Sequence, residues 1–206
     1  NGEYLVATKM IKDFNTCVYK NELYCYNGTK YDNDELSLKH MIYSMVGDQK
    51  TAYVDEVCKQ MLYRSKKIPL DTIFNIKFNN GVLINGEFVE IDDYKEFTPY
   101  YIELDYKPEA EPVETVDDYV AQLTNNDEKY RDLLFEILAH GLITDPEVKR
   151  ALAKFFIFVG DGGNGKGTLL SIIRSILTRE NCSGLKIKQM SDERYAYSMD
   201  GKLVNL

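Results

Sequence analysis

The run FFIFVGDGGNGKGTLLSIIRSIL, Phe155 to Leu177, carries the chain's most specific chemistry. Four glycines fall between Gly160 and Gly165, at Gly160, Gly162, Gly163 and Gly165, and Lys166 follows at once. Glycines let a backbone double back so that successive N–H groups converge on one anion, where a Cβ would obstruct the approach. The spacing GxxxxGK, after an apolar β-rich run and before an apolar helical one, predicts a strand–loop–helix phosphate cradle. In that reading Gly160, Asp161, Gly162, Gly163, Asn164, Gly165, Lys166, Gly167, Thr168 and Leu169 line a nucleotide site. Lys166 is its catalytic cation, aimed at the β- and γ-phosphates, and the following helix adds its N-terminal partial charge. Gly167 departs from the pattern, because a hydroxyl that ligates Mg²⁺ ordinarily stands there. The nearest hydroxyl, Thr168, lies one residue on and is rotated by about 100° on an ideal helix. Either Thr168 reaches the metal, or water takes the place, or the metal relies on residues elsewhere.

Elements must position this loop. Phe155–Val159 reads as a buried parallel strand, and Leu169, Leu170, Ile172, Ile173, Ile176 and Leu177 as the face by which the next helix packs on a sheet. Upstream, two amphipathic helices present Val116, Tyr119, Val120 and Leu123, then Tyr130, Leu133, Leu134, Ile137, Leu138 and Leu142, as core faces of a helical hairpin. Before them TIFNIKF, an Asn80-Gly81 turn, VLI and FVEI read as strands, and Pro99, Pro108 and Pro112 mark a linker. Nearer the N-terminus, TCVYKNELYCYNGTKY alternates with period two around a type I′ signal at Asn27-Gly28. A helix is predicted from about Asp34 to Val46, ending near Gly47. A second, capped by Thr51, gathers Val54, Val57, Cys58, Met61 and Leu62 on one face. Lys59, Arg64, Lys66 and Lys67, on that helix and its exit, are candidate DNA-phosphate contacts or, alternatively, complements to the helix dipole.

The net charge of −8 argues against a polyanionic partner only until it is divided along the chain. Residues 1–70 and 119–206 each carry a net +1, and residues 71–118 carry −10. The flanking parts remain free to meet nucleic acid. Cys17, Cys25, Cys58 and Cys182 are irregularly spaced and read as buried, reduced thiols rather than zinc ligands or disulfides. His40 and His140 sit in apolar helical contexts and read as structural. The sixteen tyrosines could form stacking platforms for single strands, but an AT-rich coding sequence gives the same composition without any function and is the preferred reading. No apolar run nears the roughly 20 residues that cross a bilayer.

VGDGGNGKGTLL resembles the Walker A motif of superfamily 3 helicases of the phage, plasmid and poxvirus primase–helicase type. Asn164 before Gly165-Lys166 is typical of that group, and a Gly after the Lys is an accepted variant there. FNIKFNNGVLI with TPYYIELDYKPEAEP is similar to the segment preceding the ATPase, DDYVAQL with YRDLLFEILAHGLIT to its helical pair, and DERYAYSMDGKLVNL to the approach to the Walker B strand. The likeness covers about residues 70–206. It implies an ATP-dependent, Mg²⁺-requiring DNA helicase, acting on single-stranded or forked DNA as a homo-hexamer in a bacterial or virus-infected cytoplasm. The expected fold class is a mixed α+β accessory region with a helical collar, followed by a truncated α/β P-loop NTPase core. The expected domains are a winged-helix-like accessory domain (1–70), a β-rich acidic connector (71–112), a helical collar (113–150) and the start of the P-loop ATPase (151–206). Walker B acids, sensor and arginine finger are expected beyond Leu206, so the chain by itself is expected to be inactive. The alternative is a nucleotide-binding module that recruits DNA or a partner.

Overall fold

A computed structural model describes residues 2–152 and 154–206 as a mixed α/β chain with several small sheets. Contacts divide it into two units. The first takes in the chain up to Thr72 together with Lys95–Pro99, and the second comprises Ile73–Tyr94 and Tyr100–Leu206.

In the first unit, helix α1 (Gly2–Asp13) precedes strands β1 (Cys17–Tyr19), β2 (Glu22–Tyr26) and β3 (Tyr31–Asp32). Helices α2 (Glu35–Val46) and α3 (Thr51–Arg64) follow, then strand β4 (Lys66–Lys67). The sheet order is β3-β2-β1-β4, with β4 parallel to β1 and the other pairs antiparallel. The type I′ turn is at Lys20-Asn21, not Asn27-Gly28. Tyr19 pairs with Glu22 across two residues whose φ values are +50° and +64°, the geometry that matches strand twist. At Asn27-Gly28 only the glycine has positive φ, and the Asn27 side chain instead accepts the Thr29 and Lys30 N–H groups at 3.0 and 2.9 Å. That Asx turn makes a longer connection.

Asp34 caps α2 by accepting the Ser37 N–H at 2.8 Å, and Gly47 closes it at φ +72°. Thr51 is not a cap but the first helical residue of α3; Lys50 stands at the boundary without a side-chain cap. The core joins Ala7 and Met10 of α1 to Ile42 of α2 and to Val54, Val57 and Met61 of α3, all fully buried. Full burial of each larger aliphatic side chain is worth roughly 1.5–3 kcal/mol. On the sheet, the ring of Phe97 lies 5.0–5.7 Å from the rings of Tyr19, Tyr24 and Tyr31. The Lys95 carbonyl accepts from the Tyr31 hydroxyl at 2.8 Å. Several of the tyrosines are thus consumed in packing.

The second unit begins with an antiparallel meander, β5 (Ile76–Phe78), β6 (Gly81–Ile84) and β7 (Glu87–Glu90). Here the sequence reading shifts by one turn. Asn79-Asn80 join β5 to β6, Gly81 is a strand residue opposite Glu90, and the Asn-Gly turn with two positive φ values is Asn85-Gly86. A Cβ at Gly81 would lie 2.6 Å from the Phe88 ring and collide with the Val89 carbonyl, so close backbone approach requires this glycine. The chain after Pro99, whose first residues lie within the stretch expected to be β-rich up to Leu104, is partly sheet-bound. Ile102 N–H donates to the Lys77 carbonyl at 2.8 Å and Lys77 N–H to that of Tyr100 at 3.0 Å. The Asn80 side chain pairs with both backbone groups of Tyr106 at 2.8 Å.

Helices α4 (Glu114–Leu123), α5 (Glu128–His140), α6 (Pro146–Leu152) and α7 (Lys166–Leu177) come next. Strand β8 (Cys182–Ser183), short helices α8 (Ile187–Met190) and α9 (Glu193–Ala196), and strand β9 (Val204–Asn205) end the unit. Strands β8 and β9 pair in parallel. The apolar faces of α4 and α5 are less covered than their periodicity predicts: α4 buries no residue fully, α5 buries Leu134 alone, and Val116, Tyr130 and Leu133 are exposed. The core of this unit lies elsewhere, where Ile76, Phe78 and Ile102 meet Leu177 at the end of α7 and Leu203 before β9.

Candidate anion-binding loop

Two glycines with positive φ, Gly163 (+76°) and Gly165 (+85°), turn the chain into α7. Side chains with a Cβ are strained there, so the sequence has glycine at both positions. Gly165 is the N-cap and supplies no capping side chain. The first-turn N–H groups of α7 therefore lack the usual intrahelical or side-chain acceptor. Among the described residues, the N–H groups from Asp161 to Gly165 also donate to no protein acceptor. Unpaired donors on a tight loop, continuous with an uncapped helix start, form an anion-receptive surface.

Lys166 belongs to the same surface. Its ammonium donates to the Gly160 carbonyl at 2.8 Å, the Asp161 carbonyl at 2.9 Å and Asn164 Oδ1 at 2.6 Å. All three acceptors are neutral oxygens, so the positive charge is solvated by the loop but not cancelled. An oxyanion offers stronger, charge-assisted bonds to the same protons. Asn164 thus positions the lysine, and its amide occupies the space a Cβ on Gly160 would need.

Tyr119 is a contact that the sequence reading misses. Its hydroxyl donates to the Gly165 carbonyl at 3.0 Å, and its ring would lie 3.3 Å from a Cβ on Gly165. Burial pushes its phenol upward from the ordinary value. Tyr119 sits within an apolar helical pattern, and nothing local distinguishes it from a core residue.

Two expectations for the supporting elements are corrected. Phe155–Val159 forms no strand. Phe155, Ile157 and Val159 are 82%, 69% and 89% exposed, and Phe156 and Phe158 less so. All five side chains of the run are exposed to some degree, and the Phe156 ring meets His140 edge-on at 5.5 Å. A parallel strand needs a hydrogen-bonded neighbour, and none pairs with this run among the described residues. On α7, Leu169 and Leu177 are buried and Leu170 and Ile173 half-buried, whereas Ile172 and Ile176 face solvent.

Gly167 and Thr168 are exposed in the first turn of α7, and a Cβ built on Gly167 meets nothing within 4 Å. No group of three or more His, Cys, Asp or Glu residues among the described ones is arranged to hold a metal ion. In the first unit, Lys59, Lys66 and Lys67 are exposed. Lys66 and Lys67 lie on β4, so their side chains leave opposite faces of the sheet. Arg64 is engaged with α1: its guanidinium donates to the Tyr4 carbonyl at 3.2 Å and Thr8 Oγ1 at 2.8 Å, over the Tyr4 ring. The four cationic residues are not brought onto one face.

All four cysteines are free thiols, and burial pushes Cys17 and Cys25 up to about 12. No helix among the described residues is long and apolar enough to cross a membrane. Compared with known proteins, the chain matches no family model and no curated protein.

Proposed function

We propose that the loop from Gly160 to Leu169 binds the phosphates of a nucleoside triphosphate, and that the chain serves an ATP-dependent DNA helicase of the primase–helicase type. One observation carries the binding step: a continuous set of unpaired backbone donors ends at an uncapped helix, with an uncancelled ammonium across it. Mg²⁺ arrives bound to phosphate oxygens and water, with Thr168 as the nearest hydroxyl in sequence after Lys166. The helicase assignment, with its single-stranded or forked DNA, homo-hexameric ring and cytoplasmic setting, rests on the motif resemblance. So does the reading of residues 151–206 as the start of a P-loop core.

A second reading is a nucleotide-binding module that recruits DNA or a protein partner. The exposed apolar side chains of α4, α5 and Phe155–Val159 favour it.

Lys166→Ala tests the shared step. Each charge-assisted bond of the ammonium to phosphate is worth about 1.5–3 kcal/mol, so ATP should raise the melting temperature of the parent chain and leave the variant's unchanged. An ATP-induced rise of equal size in both would remove Lys166, and with it the cradle reading.

A further inference from the structure

We propose that the solvent face of α7, away from the loop, is a second phosphate-binding site that takes the backbone of a single-stranded nucleic acid. An open groove of about 470 Å³ lies there, lined by Glu103, Ser171, Arg174, Ser175, Thr178 and Arg179. At about 100° per residue, Ser171, Arg174, Ser175 and Thr178 fall within one arc of the helix. The buried or half-buried Leu169, Ile173 and Leu177 lie on the opposite side. The helix is therefore held by one face in the core and presents guanidinium and hydroxyl groups on the other.

Neither Arg174 nor Arg179 is in an ion pair among the described residues, and both are exposed. Guanidinium forks match phosphate oxygens bidentately. Ser171 donates its proton to the Gly167 carbonyl at 2.9 Å, so it adds an acceptor. Thr178 Oγ1 accepts from Asn181 Nδ2 at 3.2 Å and keeps its proton for a ligand. Thr178 also has φ +66°, an outlier for a β-branched residue. Asn181, itself buried, holds that conformation by donating in addition to the Leu177 carbonyl at 2.8 Å and the Tyr101 carbonyl at 2.7 Å. The strained residue is thus fixed at the groove's edge with its hydroxyl oriented by a buried amide. Glu103 on the rim and Glu180 beside Arg179 oppose an anion. Their presence gives the proposal a test with opposite signs.

This site is independent of the triphosphate reading. Fluorescence anisotropy of a labelled oligothymidylate, titrated with the 206-residue chain across a salt series, tests it. The parent chain should bind with strong salt dependence. Arg174→Gln with Arg179→Gln should weaken binding about tenfold or more and lower the salt slope by about 1.4, at about 0.7 per lost charge. Glu103→Gln should tighten it, and Lys12→Gln, which removes a charge from α1 of the first unit, should leave it unchanged. Both arginines are exposed, and matching circular-dichroism melts would show that the double variant folds. Competition by inorganic phosphate, with affinity independent of oligonucleotide length, would narrow the site to one phosphate group. Affinity that grows with length would assign the backbone. No binding by the parent chain to either probe would overturn the proposal, as would binding indifferent to the arginine pair or an equal loss of binding in Lys12→Gln.

Discussion

At Gly167 the structure separates two reasons for a glycine. Gly81 is required by crowding and Gly163 and Gly165 by positive φ, whereas Gly167 is helical and faces open space. Among the described residues nothing demands it. Gly167→Ser should therefore be accommodated and should raise thermal stability, since a helical glycine costs about 0.5–1 kcal/mol relative to residues with a Cβ. If the hydroxyl reaches a phosphate-bound Mg²⁺, metal-dependent ATP binding should tighten as well, and Thr168→Val should weaken it. A melting temperature that falls in Gly167→Ser would show a steric requirement from outside this chain. The cysteines give a simpler test at the same scale. With Cys17 and Cys25 buried and pushed up to about 12, both remain protonated at neutral pH. They should resist iodoacetamide in the native chain and react after denaturation. Rapid native labelling of either would mean that its strand opens far more readily than its packing implies.

At the scale of elements, α2 is anchored by a titratable cap. Hydrogen bonding to Ser37 lowers the Asp34 carboxyl below its ordinary value. A depressed carboxylate stabilises the fold above its unfolded value of about 3.9 and loses that contribution as pH falls through the folded one. Asp34→Ala should therefore lower the melting temperature at neutral pH, and the gap should close in acid. Asp34→Asn should preserve much of the cap without that pH dependence. A gap that stays constant into acid would show that the carboxylate charge plays no part. The sequence made this helix legible because caps are local: Asp34 and Gly47 mark its ends without reference to anything distant. The same locality misplaced the turns, since Asn27-Gly28 and Asn80-Gly81 carry the composition of a tight turn. Only strand register decides that Lys20-Asn21 and Asn85-Gly86 make them. Helix α1 was not anticipated, because its buried pair Ala7 and Met10 acquires a partner only once α3 is folded against it. The loop from Gly160 to Lys166 was legible for the same reason as α2. Its chemistry is written in consecutive residues, while Tyr119, forty-six positions from Gly165, could be found only in the fold.

Across the whole molecule, the mismatch between apolar periodicity and burial is itself a physical prediction. Phe155, Ile157 and Val159 stand in solvent on an extended run with no sheet neighbour among the described residues, and Val116, Tyr130, Leu133 and Phe135 are exposed on α4 and α5. Surface of this kind associates, because covering it removes apolar area from water at roughly 25 cal/mol per Å². Unpaired backbone groups along an extended run also offer a template for strand addition. The purified chain should bind a hydrophobic dye such as 1-anilinonaphthalene-8-sulfonate and should self-associate with rising concentration in sedimentation velocity. Ile157→Asp should reduce both. It replaces an exposed apolar side chain by a charge and removes nothing from the cores of either unit, so the melting temperature should change little. The ATP-induced rise in melting temperature should persist, because the loop donors and Lys166 are untouched. If the parent chain is monodisperse at high concentration and dye-silent, the run is covered in solution by a part of the chain itself. If Ile157→Asp instead lowers the melting temperature sharply, the run contributes to a core, and the reading of it as an association surface fails.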